Sequence, residues 1–282
     1  MTLNDLRKCL TALLEDVLGR DEAEVTARIL MEDTLSLSMT QMVLDGTREL
    51  EEISVERLME MGRRVADGTP VQYVTGKARF IGNDYEVNEA TLIPRPETAG
   101  LVDLVTDYAG PRTDLRVLDV GTGSGIIAIS LARALKFPVV EAIDVSEDAL
   151  KVAASNARRL NTSVAMTHGD IFTLTPVPEI YDIIVSNPPY IPGEEADEME
   201  ARVLLHEPHY ALFVPDSDPL MFYRAIGRYA QVALKPGGAL FFEINPRFAA
   251  ELEQMLQHMG FSEISVMRDY LGRLRYCKAV KP

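Results

Sequence analysis

An asparagine, two prolines and a tyrosine follow a short apolar run, and together they could bind a planar amino group. The apolar run Ile183–Val185 predicts a buried strand of a parallel sheet. Pro188 and Pro189 end that strand, because proline has no backbone N–H for a sheet ladder. The turn thus offers carbonyl oxygens without donors, while Asn187 adds a side-chain carbonyl and Tyr190 a flat ring. Two acceptors and an aromatic ring suit an –NH2 group, although an isolated Asn-Pro sequence is also typical of an ordinary turn.

Three glycines follow an earlier strand, and their spacing would let a ligand approach the backbone. Gly121, Gly123 and Gly125 lie between a predicted strand and a helix, where backbone N–H groups can face a ligand. The dinucleotide fingerprint is G-x-G-x-x-G, but Ile126 stands at its last position, which argues against a nicotinamide or flavin cofactor. Asp144 ends the next strand, where a carboxylate can accept both hydroxyls of a ribose.

Two further aspartates extend the predicted ligand site. Asp170 lies in the segment Gly169–Phe172 after the third strand, where it could accept a hydrogen bond from the amino group of adenine. Asp119 lies at the mouth of the first strand, and we expect it near an amino group of the ligand. Ligands of α/β proteins bind outside the carboxyl ends of parallel strands, so these strand ends together predict one site.

Composition restricts the class of partner. The chain has 282 residues, 47% of them apolar and 25% charged, which is typical of a globular protein with a sizeable core. Its formal net charge of −15 would repel a phosphate backbone, so we expect no tight binding to nucleic acid. Such a surface suits a small ligand or a basic protein partner, and we expect a monomer.

Cysteine, histidine and hydropathy patterns indicate a cytoplasmic protein without a metal centre. Cys9 and Cys277 stand at opposite ends of the chain, which fits a reducing cytosol and predicts neither disulfides nor a zinc site. Pro208 separates His206 from His209 and breaks any helix that would place both rings on one face, so we predict no metal site. Charged residues interrupt the N-terminal region, and no run approaches ~18 apolar residues, so neither a signal peptide nor a membrane span is predicted.

The chain divides into three predicted parts. Residues 1–75 show leucines at helical spacing and predict a small helical bundle, with Thr2, Ser38 and Ser54 as helix N-caps. We expect this bundle to dock the substrate. Residues 76–110 contain a predicted hairpin with its turn at 82–84, then a proline-rich segment that is either one wall of the site or a plain connector. Residues 69–76, at the junction of the first two parts, are predicted to be a linker.

Residues 111–282 alternate between strands and helices, which predicts a mostly parallel sheet with helices on both faces. A short turn at 270–272 should make the last two strands antiparallel. The expected class is therefore α/β, with a seven-stranded Rossmann-like sheet after an N-terminal bundle. The predicted strands are 115–120, 139–143, 164–167, 180–186, 239–244, 263–268 and 274–280.

These motifs together resemble the class I S-adenosylmethionine-dependent methyltransferases, and more narrowly the HemK/PrmC-type release-factor glutamine N5-methyltransferases. The resemblance spans nearly the whole chain. It rests on the segments Pro70–Gly76, Ile93–Glu97, Val117–Gly125 and Val185–Ile191, and on Glu207-Pro208 with Ala211-Leu212. It implies S-adenosylmethionine as methyl donor, S-adenosylhomocysteine as product, and the glutamine of the GGQ motif of peptide chain release factors as substrate.

The resemblance also assigns roles to residues. It places the loop Gly121, Thr122, Gly123, Ser124 and Gly125 along the cofactor, Asp144 on the ribose, Ile171 against adenine, and Asn187 near the methyl donor. It assigns Asn187, Pro188, Pro189 and Tyr190 to the glutamine amide, with Tyr190 stacked on it; Asn187, Pro188 and Tyr190 are the predicted catalytic residues.

Two positions depart from the family pattern, so the resemblance does not determine how the substrate fits at that edge of the site. Ala99 stands where an acidic residue is common, and Asn245 where glycine is usual. Glu243, at the end of an apolar strand, could face the cleft, although a structural carboxylate is the simpler interpretation.

Other functions stay open on the residues alone. An N-P-P-Y turn serves any planar –NH2 group, so a ribosomal-protein glutamine or, against the acidic charge, adenine in nucleic acid are alternative substrates. An oxidoreductase or a noncatalytic nucleotide-binding module could use the same sheet. The missing third glycine of the fingerprint disfavours the first, and the acidic strand ends combined with the donor-free turn disfavour the second.

Overall fold

A computed structural model describes the whole chain, residues 1–282, except for the side chain of Glu198. The chain forms two compact units, one of residues 1–77 with 200–206, and one of residues 78–199 with 207–282. The helices are α1 (Leu3–Leu18), α2 (Arg20–Leu35), α3 (Met39–Leu44), α4 (Glu52–Ala66), α5 (Val71–Thr75), α6 (Thr98–Ala109), α7 (Ile126–Ala134), α8 (Glu147–Arg159), α9 (Ala201–His206), α10 (Met221–Ala233) and α11 (Ala249–His258).

The first unit is helical, as its leucine spacing predicted. Leu6, Leu10 and Leu14 of α1 are fully buried in a cluster with residues of α2 and α4. The hydroxyl of Thr2 accepts from the backbone N–H of Asp5, and the predicted cap is confirmed. Ser38 forms a capping box at the start of α3, which is also confirmed.

Two predictions for this unit were wrong. Ser54 does not cap α4, because the helix begins at Glu52 after the extended residue Glu51, and Ser54 lies inside its first turn. The predicted linker 69–76 contains the short helix α5, which starts after Pro70 because proline is suited to a helix N-terminus, where a missing N–H costs nothing.

Among the described residues, no helix has the length and apolarity to cross a membrane.

The second unit is built on a seven-stranded sheet, and the α/β prediction is confirmed. The strands of the chain are β1 (Lys77–Phe80), β2 (Asn83–Glu86), β3 (Arg116–Val120), β4 (Val139–Asp144), β5 (Val164–His168), β6 (Tyr181–Ser186), β7 (Ile191–Pro192), β8 (Phe213–Val214), β9 (Leu234–Glu243), β10 (Ser262–Arg268) and β11 (Leu274–Val280). The large sheet has the order β10-β11-β9-β6-β3-β4-β5. β11 is antiparallel to both β9 and β10, while β3, β4, β5, β6 and β9 pair in parallel.

Two smaller pairs of strands stand apart from the large sheet. β7 pairs with β8, and β1 pairs with β2 as the predicted hairpin. The hairpin turn lies at Ile81-Gly82, one residue before the predicted turn, because both residues adopt the left-handed backbone that a tight hairpin requires.

Helices cover both faces of the large sheet. Because side chains alternate along a strand, Val117 of β3 points to one face and Leu118 to the other. α6 and α7 pack on the face of Val117, whereas α10 and α11 pack on the face of Leu118. The parallel strands end at one edge of the sheet, at Val120, Asp144, Ser186 and Glu243, so the residues that follow them lie side by side.

Candidate functional site

A cavity of about 280 Å³ opens at this edge of the sheet. A single buried water needs only about 10–15 Å³, so the cavity can hold a ligand of many atoms. Of the predicted cofactor and substrate residues, all but Gly125 and Tyr190 line it. Its walls come from 90–95 and Thr98, from the glycine loop, from Asp144 and Val145, from 169–172, from 186–189, and from Tyr210, Ala211, Phe222 and Ile226.

The glycine loop is held down by a buried carboxylate. Asp119 Oδ2 accepts from the hydroxyl of Thr122 at 2.6 Å and from the N–H of Ala128, in the first turn of α7, at 3.2 Å. The other oxygen, Oδ1, has no hydrogen-bond partner among the described residues, and burial raises the pKa of Asp119 to about 7. The side chain of Asp119 is fully buried beneath the loop and does not line the cavity, so its expected position near a ligand's amino group stays a prediction.

The glycines of the loop serve two different purposes. Gly121 and Gly123 have left-handed backbones with open space beside them, and both line the cavity. At Gly125, a Cβ atom would lie 3.1 Å from the Cβ of Ala153 and 3.0 Å from a methyl of Ile129. Gly125 is therefore required for the packing of α7 on α8, and it stands outside the cavity lining.

Asp144 fixes the loop from the neighbouring strand. Its Oδ2 accepts from the N–H of Gly123 at 2.8 Å, and its Oδ1 from the N–H of Ser146 at 2.9 Å. Burial raises the pKa of Asp144, and these backbone hydrogen bonds oppose that rise. Because each carboxylate oxygen can accept more than one hydrogen bond, Asp144 keeps acceptor capacity toward the cavity that it lines.

The wall beyond Asp144 is largely apolar. Ile171 and Phe172 line it, and the ring of Phe172 lies 5.1 Å from the ring of Phe222 on α10. Asp170 lines the same wall, and its Oδ1 accepts from the N–H of Phe172 at 2.9 Å. The wall thus combines apolar surface with one carboxylate, a combination that suits a planar ring carrying an amino group. The role of Asp170 as acceptor for the adenine amino group stays a prediction.

The turn after β6 lies beside the glycine loop. Ser186 donates to the backbone oxygen of Val120 at 2.6 Å, which ties the ends of β6 and β3 together. Asn187, Pro188 and Pro189 then line the cavity. The side-chain nitrogen of Asn187 donates to the hydroxyl of Thr98 at 3.4 Å.

Tyr190 lies behind the cavity wall. Its hydroxyl donates to Glu243 Oε1 at 3.2 Å, and its ring packs against the core on the α10 side of the sheet. Burial raises the pKa of Tyr190, and the negative charge of Glu243 raises it further. The ring of Tyr190 is not part of the cavity lining. Its stacking on the substrate amide stays a prediction.

Glu243 is buried at the end of β9 and is 1% exposed. Its Oε2 accepts from the hydroxyl of Thr98 at 2.8 Å. Burial raises the pKa of Glu243, while Thr98, Arg275 and Tyr190 oppose that rise. Glu243 does not line the cavity, but Thr98 connects it to Asn187, which does.

The two departures from the family pattern have different surroundings. Asn245 is buried and donates to the backbone oxygen of Tyr190 and to the carboxylate of Glu195. It therefore supports the turn that carries Tyr190. Ala99 lies in the first turn of α6 and packs against the core, and its methyl side chain offers no polar group.

The proline-rich segment proved to be a wall of the cavity. Glu207 is buried and accepts from Arg95 at 2.6 Å and from the N–H of Ile93 at 3.1 Å. Tyr210 closes the wall by donating to the backbone oxygen of Ala90 at 2.8 Å. Glu207 and Tyr210 are more than a hundred residues from their partners in sequence, so no local pattern could have predicted these contacts.

Among the residues that the structure describes, no group of three or more His, Cys, Asp or Glu side chains could hold a metal ion.

Comparison with known proteins places the whole chain among methyltransferases. Residues 5–76 match the PrmC N-terminal domain, and residues 101–214 match the methyltransferase small domain. The release factor glutamine methyltransferase of Bacteroides thetaiotaomicron is 37% identical over 278 residues, which cover 98% of this chain and 99% of that relative. The enzyme of the same description from Flavobacterium psychrophilum is 36% identical over 281 residues, with 99% of each chain covered.

Solved structures show the same fold at lower identity. A methyltransferase from Pyrococcus furiosus matches with a TM-score of 0.52 and 18% identity, over 80% of this chain and 96% of that chain. The 16S rRNA N2 G1207 methyltransferase of T. thermophilus, in complex with AdoMet and guanosine, matches with a TM-score of 0.53 and 21% identity, over 73% of this chain and 50% of that chain.

Proposed function

Because this chain belongs to the family of release factor glutamine methyltransferases, we propose that it transfers a methyl group from S-adenosylmethionine to the side-chain amide nitrogen of a glutamine in a peptide chain release factor. One observation carries the proposal. The acceptor-rich turn Asn187–Pro189 lines the same cavity as the glycine loop and Asp144. A single cavity therefore combines a cofactor wall with a site for an amide.

The residues present fit S-adenosylmethionine. Gly121 and Gly123 leave open space along the loop, and Asp144 keeps acceptor capacity for the ribose hydroxyls. Ile171 and Phe172 offer an apolar surface to the adenine ring. When bound, the cofactor supplies an electrophilic methyl group on a sulfonium.

The turn after β6 would bind the substrate amide through acceptors. The Oδ1 of Asn187 and the backbone carbonyl of Pro188 can each accept one N–H of a carboxamide. These bonds hold the amide nitrogen in one orientation and stabilise positive charge that develops on it. An amide nitrogen is a weak nucleophile because its lone pair is delocalised, so orientation is the main task of the protein; orientation can contribute ~7–11 kcal/mol in favourable cases. The nitrogen then loses its proton to water.

Transfer of radiolabelled methyl groups tests the proposal. Purified protein is incubated with labelled S-adenosylmethionine and, in parallel, with a release factor, ribosomal proteins and DNA, and the labelled residue is identified by mass spectrometry. We expect label on a release-factor glutamine with the wild type and none with Asn187→Ala. Cofactor affinity of Asn187→Ala, measured by calorimetry, should stay near that of the wild type. Label confined to ribosomal protein or DNA, or normal methylation by Asn187→Ala, would overturn the proposal.

A release factor is thus the proposed partner. The cytoplasmic location and the monomeric state stay predictions.

A further inference from the structure

We infer that Thr98 and Glu243 are positioning residues, which orient the Asn187 amide so that its oxygen, and not its nitrogen, is left for the substrate. This inference rests on the proposed function. Asn187 Nδ2 donates to Thr98 Oγ1 at 3.4 Å, and Thr98 Oγ1 donates to Glu243 Oε2 at 2.8 Å. The three side chains form one chain of hydrogen bonds that leads from a buried carboxylate to the cavity wall.

The direction of each hydrogen bond follows from the chemistry of the groups. An ionised carboxylate can only accept, so the single hydroxyl hydrogen of Thr98 is committed to Glu243. The Thr98 oxygen can then only accept from Asn187, which must turn its NH2 group toward Thr98. The Asn187 oxygen is left on the other side of the amide. If the amide were reversed, an NH2 group would meet the N–H donors of the substrate, and methyl transfer would lose one of its two acceptors.

The position of Thr98 supports a dedicated role. Thr98 is the first residue of α6 and directly follows the N-cap residue Glu97, so its hydroxyl is not used to cap the helix. The start of α6 has no side-chain cap, and the Thr98 hydroxyl bonds to Glu243 instead. Thr98 and Glu243 are each 1% exposed, so solvent does not compete for the bond between them. The 3.4 Å bond to Asn187 is longer than the 2.8 Å bond to Glu243, so the carboxylate is the stronger partner of the Thr98 hydroxyl.

Protonation of Glu243 would reverse the chain of hydrogen bonds. A protonated Glu243 could donate to Thr98, whose own hydrogen would then turn to the oxygen of Asn187. The charged and titratable groups that face Glu243 are Arg275 and Tyr276 of β11, Tyr190 after β6, Tyr223 of α10 and Glu97 before α6. Since burial raises the pKa of Glu243 above its ordinary value of 4.5, activity should fall as the pH falls through that raised value.

Matched variants of one helix test the role of Thr98. Thr98→Val removes the hydroxyl and keeps the shape of the side chain, Thr98→Ser keeps the hydroxyl, and Thr106→Val removes a hydroxyl elsewhere on α6. We expect kcat of Thr98→Val to fall roughly 10- to 100-fold, the scale on which misorientation of a reacting group is felt, with little change in the dissociation constant of S-adenosylmethionine. Thr98→Ser should recover most of kcat, and Thr106→Val should match the wild type.

Glu243→Gln supplies an independent variant of similar volume. The Gln carbonyl oxygen can keep the bond from Tyr190, which leaves its NH2 group facing Thr98 and reverses the chain of hydrogen bonds. We expect a loss of kcat similar to that of Thr98→Val, and neither variant should show the acid fall in activity that depends on Glu243. Unchanged kcat in both Thr98→Val and Glu243→Gln, or an acid fall that persists in both, would overturn the inference.

A spectroscopic measurement separates this inference from the proposed function. The side-chain NH2 resonances of Asn187, assigned from their loss in Asn187→Ala, should shift in Thr98→Val and stay unchanged in Thr106→Val. If the wild type transferred no methyl group to release factor, the proposed function would fail, while these resonances would still decide whether Thr98 orients Asn187. Resonances that are unchanged in Thr98→Val would refute the orientation.

Discussion

Asp119→Asn removes a buried charge from beneath the glycine loop and keeps the shape of the side chain. Oδ2 of Asp119 accepts from Thr122 and Ala128, and a carbonyl oxygen of asparagine could accept both bonds. The new NH2 group would occupy the place of Oδ1, which has no partner among the described residues. The substitution therefore replaces a buried acid, which must ionise at high pH, by a buried group that stays neutral.

The sign and size of the effect follow from the shifted pKa. Burial raises the pKa of Asp119 from 3.8 to about 7, so the folded protein holds this proton more tightly than the unfolded chain. The tighter proton binding stabilises the folded wild type only at low pH. Its free energy of unfolding therefore falls as the pH rises from about 4 to above 7. Between about pH 5 and about pH 8, linkage through these two pKa values gives a loss of about 2.5 kcal/mol. Asparagine does not titrate, so the cost of its unpaired NH2 group cancels in the comparison of the two pH values.

Urea unfolding of both proteins at the two pH values measures this difference. The chain has no tryptophan, so far-ultraviolet circular dichroism is the suitable signal. We expect the stability of Asp119→Asn relative to the wild type to rise by about 2.5 kcal/mol from the lower to the higher pH. The exposed Asp114→Asn controls for the loss of one negative charge from the chain. Parallel pH dependence in wild type and Asp119→Asn would refute the assignment of a buried, titrating carboxyl.

Two further variants test the roles of Asp144 in ligand binding and of Gly125 in helix packing. Asp144→Asn should weaken S-adenosylmethionine binding roughly 10- to 100-fold, because it removes a charged acceptor that also holds Gly123; an unchanged dissociation constant by calorimetry would exclude that role. Gly125→Ala should lower the free energy of unfolding by roughly 1–3 kcal/mol, because the new Cβ would crowd Ala153 and the backbone is left-handed; a urea midpoint equal to that of the wild type would contradict this packing account.

The sheet could be predicted because its signals are local. Apolar runs separated by helical segments fix which residues form strands, and all seven predicted strands of the large sheet are present. The short turn at 270–272 requires β10 and β11 to be antiparallel, as they are. Residues that follow strand ends could also be predicted to meet, because parallel strands deliver them to one edge.

The direction of side chains at the strand ends was harder to predict. Asp119 and Val117 are two residues apart in β3, so both point to the face that α6 and α7 cover. Their alternation was visible in the sequence and could have placed Asp119 under the helix and not in the cavity. Glu243 and Phe241 of β9 follow the same rule.

Contacts between distant segments had no signal in a single sequence. Glu207 holds the segment of Ile93 and Arg95, and Thr98 bonds to Glu243, which is 145 residues away in the sequence. Such pairs depend on how helices and loops are placed on the finished sheet. The hydrogen bond between the Thr98 hydroxyl and Glu243 was therefore not predicted.

Asp119 and Glu243 are both buried carboxylates that lower the stability of the fold while they hold residues of the cavity wall in place. Each lies near the carboxyl end of its strand, on the same face of the sheet, and accepts a threonine hydroxyl. Burial raises the pKa of both, so the charge of each destabilises the folded protein as the pH rises. Glu243→Gln should therefore become more stable relative to the wild type as the pH rises, while its kcat stays low. If Glu243 had only a structural role, Glu243→Gln would lose activity only at a pH where it also loses stability. A gain in stability together with a low kcat at high pH would therefore indicate that the carboxylate serves to orient Asn187.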